Sequence, residues 1–176
     1  MQLPSLRKNV TGTITNNNKY VSAPLDFLSV YSLAVVDSDG VYTYLLNKDV
    51  NFIREAYPNP SDKGTPAHYA IFGPTTTAGG TITTELSLIL GPTPDATYTV
   101  ELHYYYYPES IVTAGTTWLG DNFDSALLNG TLVEAIRYMK GEQDMVSLYQ
   151  GMYDRAMIQL KQLGDGKDRQ DMYRSG

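Results

Sequence analysis

Tyr98-Thr99-Val100-Glu101-Leu102-His103-Tyr104-Tyr105-Tyr106-Tyr107 is the stretch on which the fold turns. Threonine, valine and aromatic rings favour a pleated backbone, so it reads as a β-strand. Successive side chains of a strand point to opposite faces. Of Tyr104, Tyr105, Tyr106 and Tyr107, two rings therefore face inward and two outward. The outward pair is either sheet surface or a contact for a subunit or partner, because tyrosine is enriched in interface cores. A sugar-stacking platform is a third reading, weakened by the scarcity of nearby carboxylates.

Upstream, the signals stay those of a β-protein. Residues 86–90 form a strand that reaches residues 98–107 through the turn Gly91-Pro92-Thr93-Pro94-Asp95-Ala96. The apolar run 28–36, the turn Asp37-Ser38-Asp39-Gly40 and residues 41–46 make an antiparallel hairpin. Residues 9–20 allow a short strand followed by Asn16-Asn17-Asn18 as turn material, and Pro24 bars a central strand position. Residues 67–72 supply another strand. In between, Val50, Ile53 and Tyr57 sit on one face of a short helix, with Asn47 as its N-cap. Residues 73–84, rich in threonine and glycine, read as a mobile loop.

Downstream the period changes. Trp118 to Phe123 lead into a helix near Asp124 whose Leu128, Leu132, Ala135, Ile136 and Met139 share a face. Lys140-Gly141 ends it, a cation and a glycine where helix ends prefer them. A second helix spans residues 142–163, its stripe made by Met145, Tyr149, Met152, Ala156, Leu160 and Leu163. The pair forms an αα-hairpin over residues 121–163. Residues 164–176, charged and punctuated by glycine, are expected to be disordered alone and ordered only on a partner. The fold class is thus α+β. An antiparallel body of about five to seven strands and one short helix, residues 9–110, precedes the helical hairpin; residues 1–163 make one domain and 164–176 a tail.

Composition narrows the function. A 42% hydrophobic content supports a packed core, and no apolar run reaches the roughly 18 residues of a membrane span. The first eight residues carry charge without a following apolar stretch, unlike a signal peptide. Zero cysteines remove disulfides, thiolate metal sites and thiol nucleophiles. With a net charge of −6 and scattered basic residues, the chain is not built to grip DNA phosphates, although DNA can pass close by. Fifteen tyrosines against one tryptophan suit strand faces and subunit interfaces.

A search for reactive groups returns little. His68 and His103 lie on expected strands without a carboxylate at helical spacing, and zinc usually takes a third protein ligand. There is no Gly-x-Ser-x-Gly elbow, and Thr77-Ala78-Gly79-Gly80-Thr81 lacks the lysine and helix of a phosphate loop. Asn9-Val10-Thr11 and Asn129-Gly130-Thr131 match a glycosylation sequon whose use requires secretion. No catalytic, metal or cofactor site is assigned, and the chain is expected not to be an enzyme.

Four segments, in order, carry a resemblance. Tyr20-Val21-Ser22-Ala23-Pro24-Leu25-Asp26-Phe27-Leu28-Ser29-Val30 resembles the Leu-Pro-x-Asp-Phe-x-x-Val segment of the head-to-tail adaptor (connector) proteins of tailed bacteriophages. Gly64-Thr65-Pro66-Ala67-His68-Tyr69-Ala70-Ile71-Phe72-Gly73 is similar to their Gly-x-Pro-x-x-Tyr element. Leu88-Ile89-Leu90-Gly91-Pro92-Thr93-Pro94-Asp95-Ala96-Thr97-Tyr98 resembles their hydrophobic-Pro-x-Pro-Asp-x-x-Tyr turn, which runs into a strand ending in tyrosines. Thr117-Trp118-Leu119 and two helices, the second bearing Tyr149 and Tyr153, complete the series. The likeness departs at its start, where such adaptors often carry helices and this chain has about twenty residues.

The resemblance implies a structural virion protein at the head–tail junction, assembled in the host cytoplasm. Its form is a homo-oligomeric ring, typically a dodecamer, in the neck. One side meets the portal and the other a tail or nozzle protein. Double-stranded DNA passes through during ejection without specific binding, and no membrane is involved. Subunit or partner contacts then fall to Tyr104, Tyr105, Tyr106, Tyr107, Met145, Tyr149, Met152 and Tyr153. Lys167, Arg169, Met172, Tyr173 and Arg174 of the tail are candidates for portal docking. Another tail or baseplate component, or a carbohydrate-binding β-module, are the competing readings.

Overall fold

The computed structural model describes residues 6–76, 82–110 and 112–174. It divides into two compact units, Arg7–Tyr107 and Met1–Leu6 with Pro108–Gly176. The first contains β1 (Arg7–Ile14), β2 (Tyr20–Ser22), β3 (Phe27–Val36), β4 (Tyr42–Tyr44), β5 (Leu46–Asn47), α1 (Val50–Ala56), β6 (His68–Thr76), β7 (Ile82–Gly91) and β8 (Tyr98–Tyr106). The second contains α2 (Trp118–Asn122), α3 (Asp124–Tyr138) and α4 (Gln143–Arg174). The α+β class with an antiparallel-rich body and a helical C-terminal part matches the sequence reading.

Among the described residues eight strands form two four-stranded sheets, ordered β1-β8-β3-β4 and β2-β7-β6-β5. The count exceeds the expected five to seven because β2, β4 and β5 are two or three residues long, too short to leave a period in the sequence. The β3–β4 hairpin is as expected. Asp37 Oδ1 accepts from the N–H groups of Asp39 and Val41, both at 2.9 Å, and Gly40 adopts φ 81° to close the turn. The chain then changes sheets at Leu45, whose N–H donates to Leu33 O while that of Leu46 donates to Ala67 O, both at 2.9 Å. β5 pairs with β6 in parallel over two residues, Leu46 with His68 and Asn47 with Tyr69, within an otherwise antiparallel body.

Both sheets turn alternate residues into one core. Ile14, Leu33, Val35, Val100, Leu102 and Tyr104 come from the first sheet, and Tyr69, Leu88 and Leu90 from the second. Ile89, between Leu88 and Leu90, points to the other face of its sheet, where it packs with Ala70 and with Ile53 of α1. From Ser87 to Leu90, β7 is thus buried on both faces, as its unbroken Leu-Ile-Leu run requires. The cap of α1 is Asp49, whose Oδ1 accepts from Asn51 N at 2.8 Å. Asn47, the residue expected there, is committed to β5. Residues 73–76 and 82–84 are strand rather than the expected loop, since β-branched threonine favours extended backbone. Residues 77–81 of that expected loop lie outside the described residues.

In the helical unit, Thr117 Oγ1 caps α2 by accepting from Gly120 N at 3.1 Å. α3 closes where expected: Gly141 N donates to Ile136 O at 2.9 Å, and Lys140 takes the left-handed φ of 54°. A Cβ on Gly141 would lie 2.7 Å from Ile136 Cγ2, so glycine is required by contact. The second helix, expected to end at Leu163, continues to Arg174, and residues 164–174 are helical rather than a disordered tail. Gly164 and Gly166 weaken a helix by about 1 kcal/mol each, but only proline removes the donor and clashes, and α4 has none.

Candidate functional site

The segments that carried the resemblance have definite work in the body. Asp26, just before β3, accepts from Lys8 Nζ of β1 at 2.6 Å and from Tyr104 OH of β8 at 2.9 Å. Its backbone O also accepts from Tyr107 N at 2.7 Å. The hydrogen bond from Lys8, then that from Tyr104 and the ammonium's charge, hold the Asp26 carboxyl below its usual range. The same bond raises the Lys8 ammonium, and burial followed by the Asp26 bond raises the Tyr104 phenol. Lys8 also lies over the Tyr106 ring at 4.1 Å, while Arg7 lies over Tyr31 at 4.0 Å and donates from Nε to Tyr105 OH at 3.1 Å.

The other two body segments meet each other. Tyr98 OH donates to Asp95 Oδ1 at 2.6 Å and shares a hydrogen bond with Thr65 Oγ1 at 3.1 Å. The Asp95 bond is the main reason the Tyr98 phenol is raised. Gly64 N donates to Thr93 O and Ala67 N to Gly91 O, both at 2.9 Å. These motifs are corner joints between strands, with no reacting centre among them.

The helical unit is arranged differently. α3 buries the small residues Ala126 and Val133, and Gly130 between them faces Tyr153 of α4, where an added Cβ would come within 3.1 Å of the ring. α4 buries Ala156 and Leu160 and half-buries Tyr149 and Tyr153 on one side. At 100° per residue, the larger row Leu128, Leu132, Ala135 and Met139 falls roughly 140° around α3 from Val133. Leu128 is 61% and Met139 70% exposed. On α4, Met145, Leu148, Met152 and Leu163 form a second exposed apolar row beside the buried one.

A family model described as SU10 adaptor protein matches residues 2–176. The chain belongs to that family. It is a phage structural adaptor. No curated protein matches the chain.

Within this SU10 adaptor protein, the tyrosine run is spread over four environments. Tyr104 lies in the core between the sheets, Tyr105 is buried on the opposite face near Arg7 and Tyr31, and Tyr106 is half-buried. Tyr107, past the strand end, is 64% exposed. Met145 and Met152 are exposed, Tyr153 faces Gly130 of α3, and Tyr149 is half-buried. Lys167, Arg169, Met172, Tyr173 and Arg174 are on the last turns of α4. His68 and His103 are on different sheets; His68 Nδ1 shares a hydrogen bond with Tyr57 OH at 3.0 Å, and His103 packs against Tyr31. Among the described residues no three His, Asp or Glu gather as metal ligands, and no helix is long and apolar enough to cross a membrane. A surface cavity of about 430 Å³, with Lys19, Tyr20, Ser61 and Lys63 among its walls, has no carboxylate or imidazole lining.

The functional work of Asp26 and of the small row on α3 does not stand out in the sequence. Asp26 has partners 18 and 78 residues away, which no local pattern reports. The small row left one signal, a glycine four residues after Ala126 and three before Val133 in mid-helix.

Proposed function

We propose that this adaptor forms a homo-oligomeric ring at the head–tail junction of the virion, joining portal to a tail or nozzle protein and extending the DNA channel. The observation that carries the reading is the apolar row on α3 in which Leu128 and Met139 are exposed and Leu132 and Ala135 half-buried, continued in kind by the exposed Met145, Leu148 and Met152 on α4. Exposed apolar surface of this extent marks a contact with another chain. The helices turn their small residues toward each other and reserve the larger ones, which suits packing against neighbouring copies around a closed ring. A dodecamer is the number such adaptors typically adopt. The net charge of −6 fits a channel through which DNA moves without adhering. The end of α4, with Lys167, Arg169 and Arg174, is the segment proposed to dock on the portal.

The test is assembly of the full chain with and without portal, read by native mass spectrometry and negative-stain imaging. Closed rings stacked coaxially on portal are the expected result. The double variant Leu128→Gln, Met139→Gln should keep its monomer stability within about 0.5 kcal/mol, as exposed substitutions do, and lose ring formation. A parent chain that stays monomeric in the presence of portal overturns the reading.

A further inference from the structure

We propose that the cavity where three loops of the body meet binds a small phosphate ester of mononucleotide size, with Lys19, Lys63 and Thr93 holding its phosphate. The inference concerns the body alone and does not depend on the ring reading. The cavity, about 430 Å³, lies between the β1–β2 connection, the α1–β6 loop and the β7–β8 turn. Main-chain bonds pin these three segments to one another. Asn17 N donates to Pro94 O at 3.0 Å, Leu90 N to Lys19 O at 2.8 Å and Gly64 N to Thr93 O at 2.9 Å. Lys63 and Thr93 are also joined by an isolated β-bridge. The backbone that carries both lysines to one hollow is therefore fixed before any ligand arrives, which lowers the ordering cost of binding.

Charge selects an anion. Among the described residues neither lysine has an ion pair, and no carboxylate lines the cavity. Of the acids in the wall loops, Asp95 accepts from Tyr98 OH, and Asp62 is exposed outside the cavity walls. Thr93 gives an independent sign of a ligand. It is 9% exposed, and its hydroxyl has no hydrogen-bond partner among the described residues. No side-chain oxygen or nitrogen of those residues is sealed off without a partner, so this hydroxyl keeps its access through the cavity it lines. Ser61 brings a second hydroxyl from another loop. Two ammonium groups match the roughly two negative charges of a phosphate monoester, and the hydroxyls suit its several acceptor oxygens. A carboxylate offers half that charge and two oxygens. The volume exceeds what a phosphate alone fills, and Tyr20 and Pro60 give the rest of the wall an apolar face for the organic part of an ester. A duplex fits less well, because its affinity comes from many cations following the backbone and this hollow has two.

Calorimetric titration of the full chain tests this, with deoxyadenosine monophosphate, deoxyadenosine, inorganic phosphate and a short blunt DNA duplex as separate probes. The monophosphate is expected to bind and the nucleoside not to. Inorganic phosphate should bind more weakly than the monophosphate, because it leaves Tyr20 and Pro60 uncovered. The double variant Lys19→Gln, Lys63→Gln should weaken the monophosphate by at least about tenfold, and Thr93→Val by about tenfold through loss of one donor to a charged group. Both variants should melt like the parent. Neither lysine is in the core, so the double variant decides the matter should Thr93→Val fail to fold. No monophosphate binding at millimolar concentration overturns the proposal, as does equal binding of the nucleoside or unchanged binding by the lysine variant. Inorganic phosphate bound as tightly as the ester would make this an adventitious anion site only. Duplex bound in place of the monophosphate, and lost in the lysine variant, would assign the hollow to the DNA backbone. Either result overturns the ester assignment.

Discussion

The β-body and the helical unit solve the same problem in opposite ways. In the body, strand alternation packs Leu88 and Leu90 between the sheets and Ile89 beneath α1, all at most 1% exposed, while Leu25, Tyr31, Tyr44 and Leu46 stay in solvent. In the helical unit the residues taken inside are mostly small, Ala126, Val133 and Ala156 beside Leu160, while Leu128, Met139, Met145, Leu148 and Met152 stay in solvent. A sheet sandwich can complete its own core. Two helices meeting along a small-residue row gain closeness and give up buried area, which costs stability in isolation and leaves surface for a neighbour.

The largest effect that sharpens this contrast belongs to the body. Leu88→Ala removes a fully buried side chain in a strand enclosed on both faces, and should destabilise the chain by about 2–5 kcal/mol in urea titration followed by circular dichroism. A loss below about 1 kcal/mol would mean that the sandwich core is looser than its burial indicates. Next comes the helical pair. Gly130→Leu puts a side chain where even a Cβ meets the Tyr153 ring at 3.1 Å. It should cost about 1–3 kcal/mol by overpacking, outweighing the roughly 1 kcal/mol that replacing a mid-helix glycine returns. A stabilised variant would show that α3 and α4 are not held together at this point.

The same contrast explains what could be read from the sequence. The Leu-Ile-Leu run before Gly91, the Asp37 to Gly40 turn and the helical period of Val50, Ile53 and Tyr57 are local patterns, and each became the element it implied. The partition into two sheets was hidden because it depends on Leu45 crossing between them and on a two-residue parallel pairing, neither of which has a period. In α3 the amphipathic pattern identified an apolar row and could not say what would cover it. Hydrophobic spacing is the same whether the partner is the chain's own core or another molecule. Only the packing of Gly130 on Tyr153 shows that the small row is the internal one.

The smallest effect concerns the clamp at the end of the body, where β1, β8 and the Pro24 segment meet. Asp26 is held below its usual carboxylate range by Lys8 first and Tyr104 second, so the folded state favours its charged form more than the unfolded chain does. The stability it supplies is therefore present above the unfolded carboxylate value and fades as pH falls through the depressed folded value. Lys8, raised from its usual value by the same bond, contributes over all of that range, since its own loss begins only at alkaline pH. The side chains of Lys8 and Asp26 are 49% and 33% exposed, so solvent screens the pair and the contribution is under about 1 kcal/mol. Asp26→Asn should thus be slightly less stable than the parent at pH 7, and the two chains should converge as the pH is lowered toward 2. Urea titrations at several pH values measure that difference, and added salt should shrink it at neutral pH. A gap that persists undiminished in acid would assign the role of Asp26 to its shape and its bond with Tyr104 rather than to its charge. The clamp would then fasten strand ends as a neutral hydrogen bond does, in the manner of the bond between Thr65 Oγ1 and Tyr98 OH.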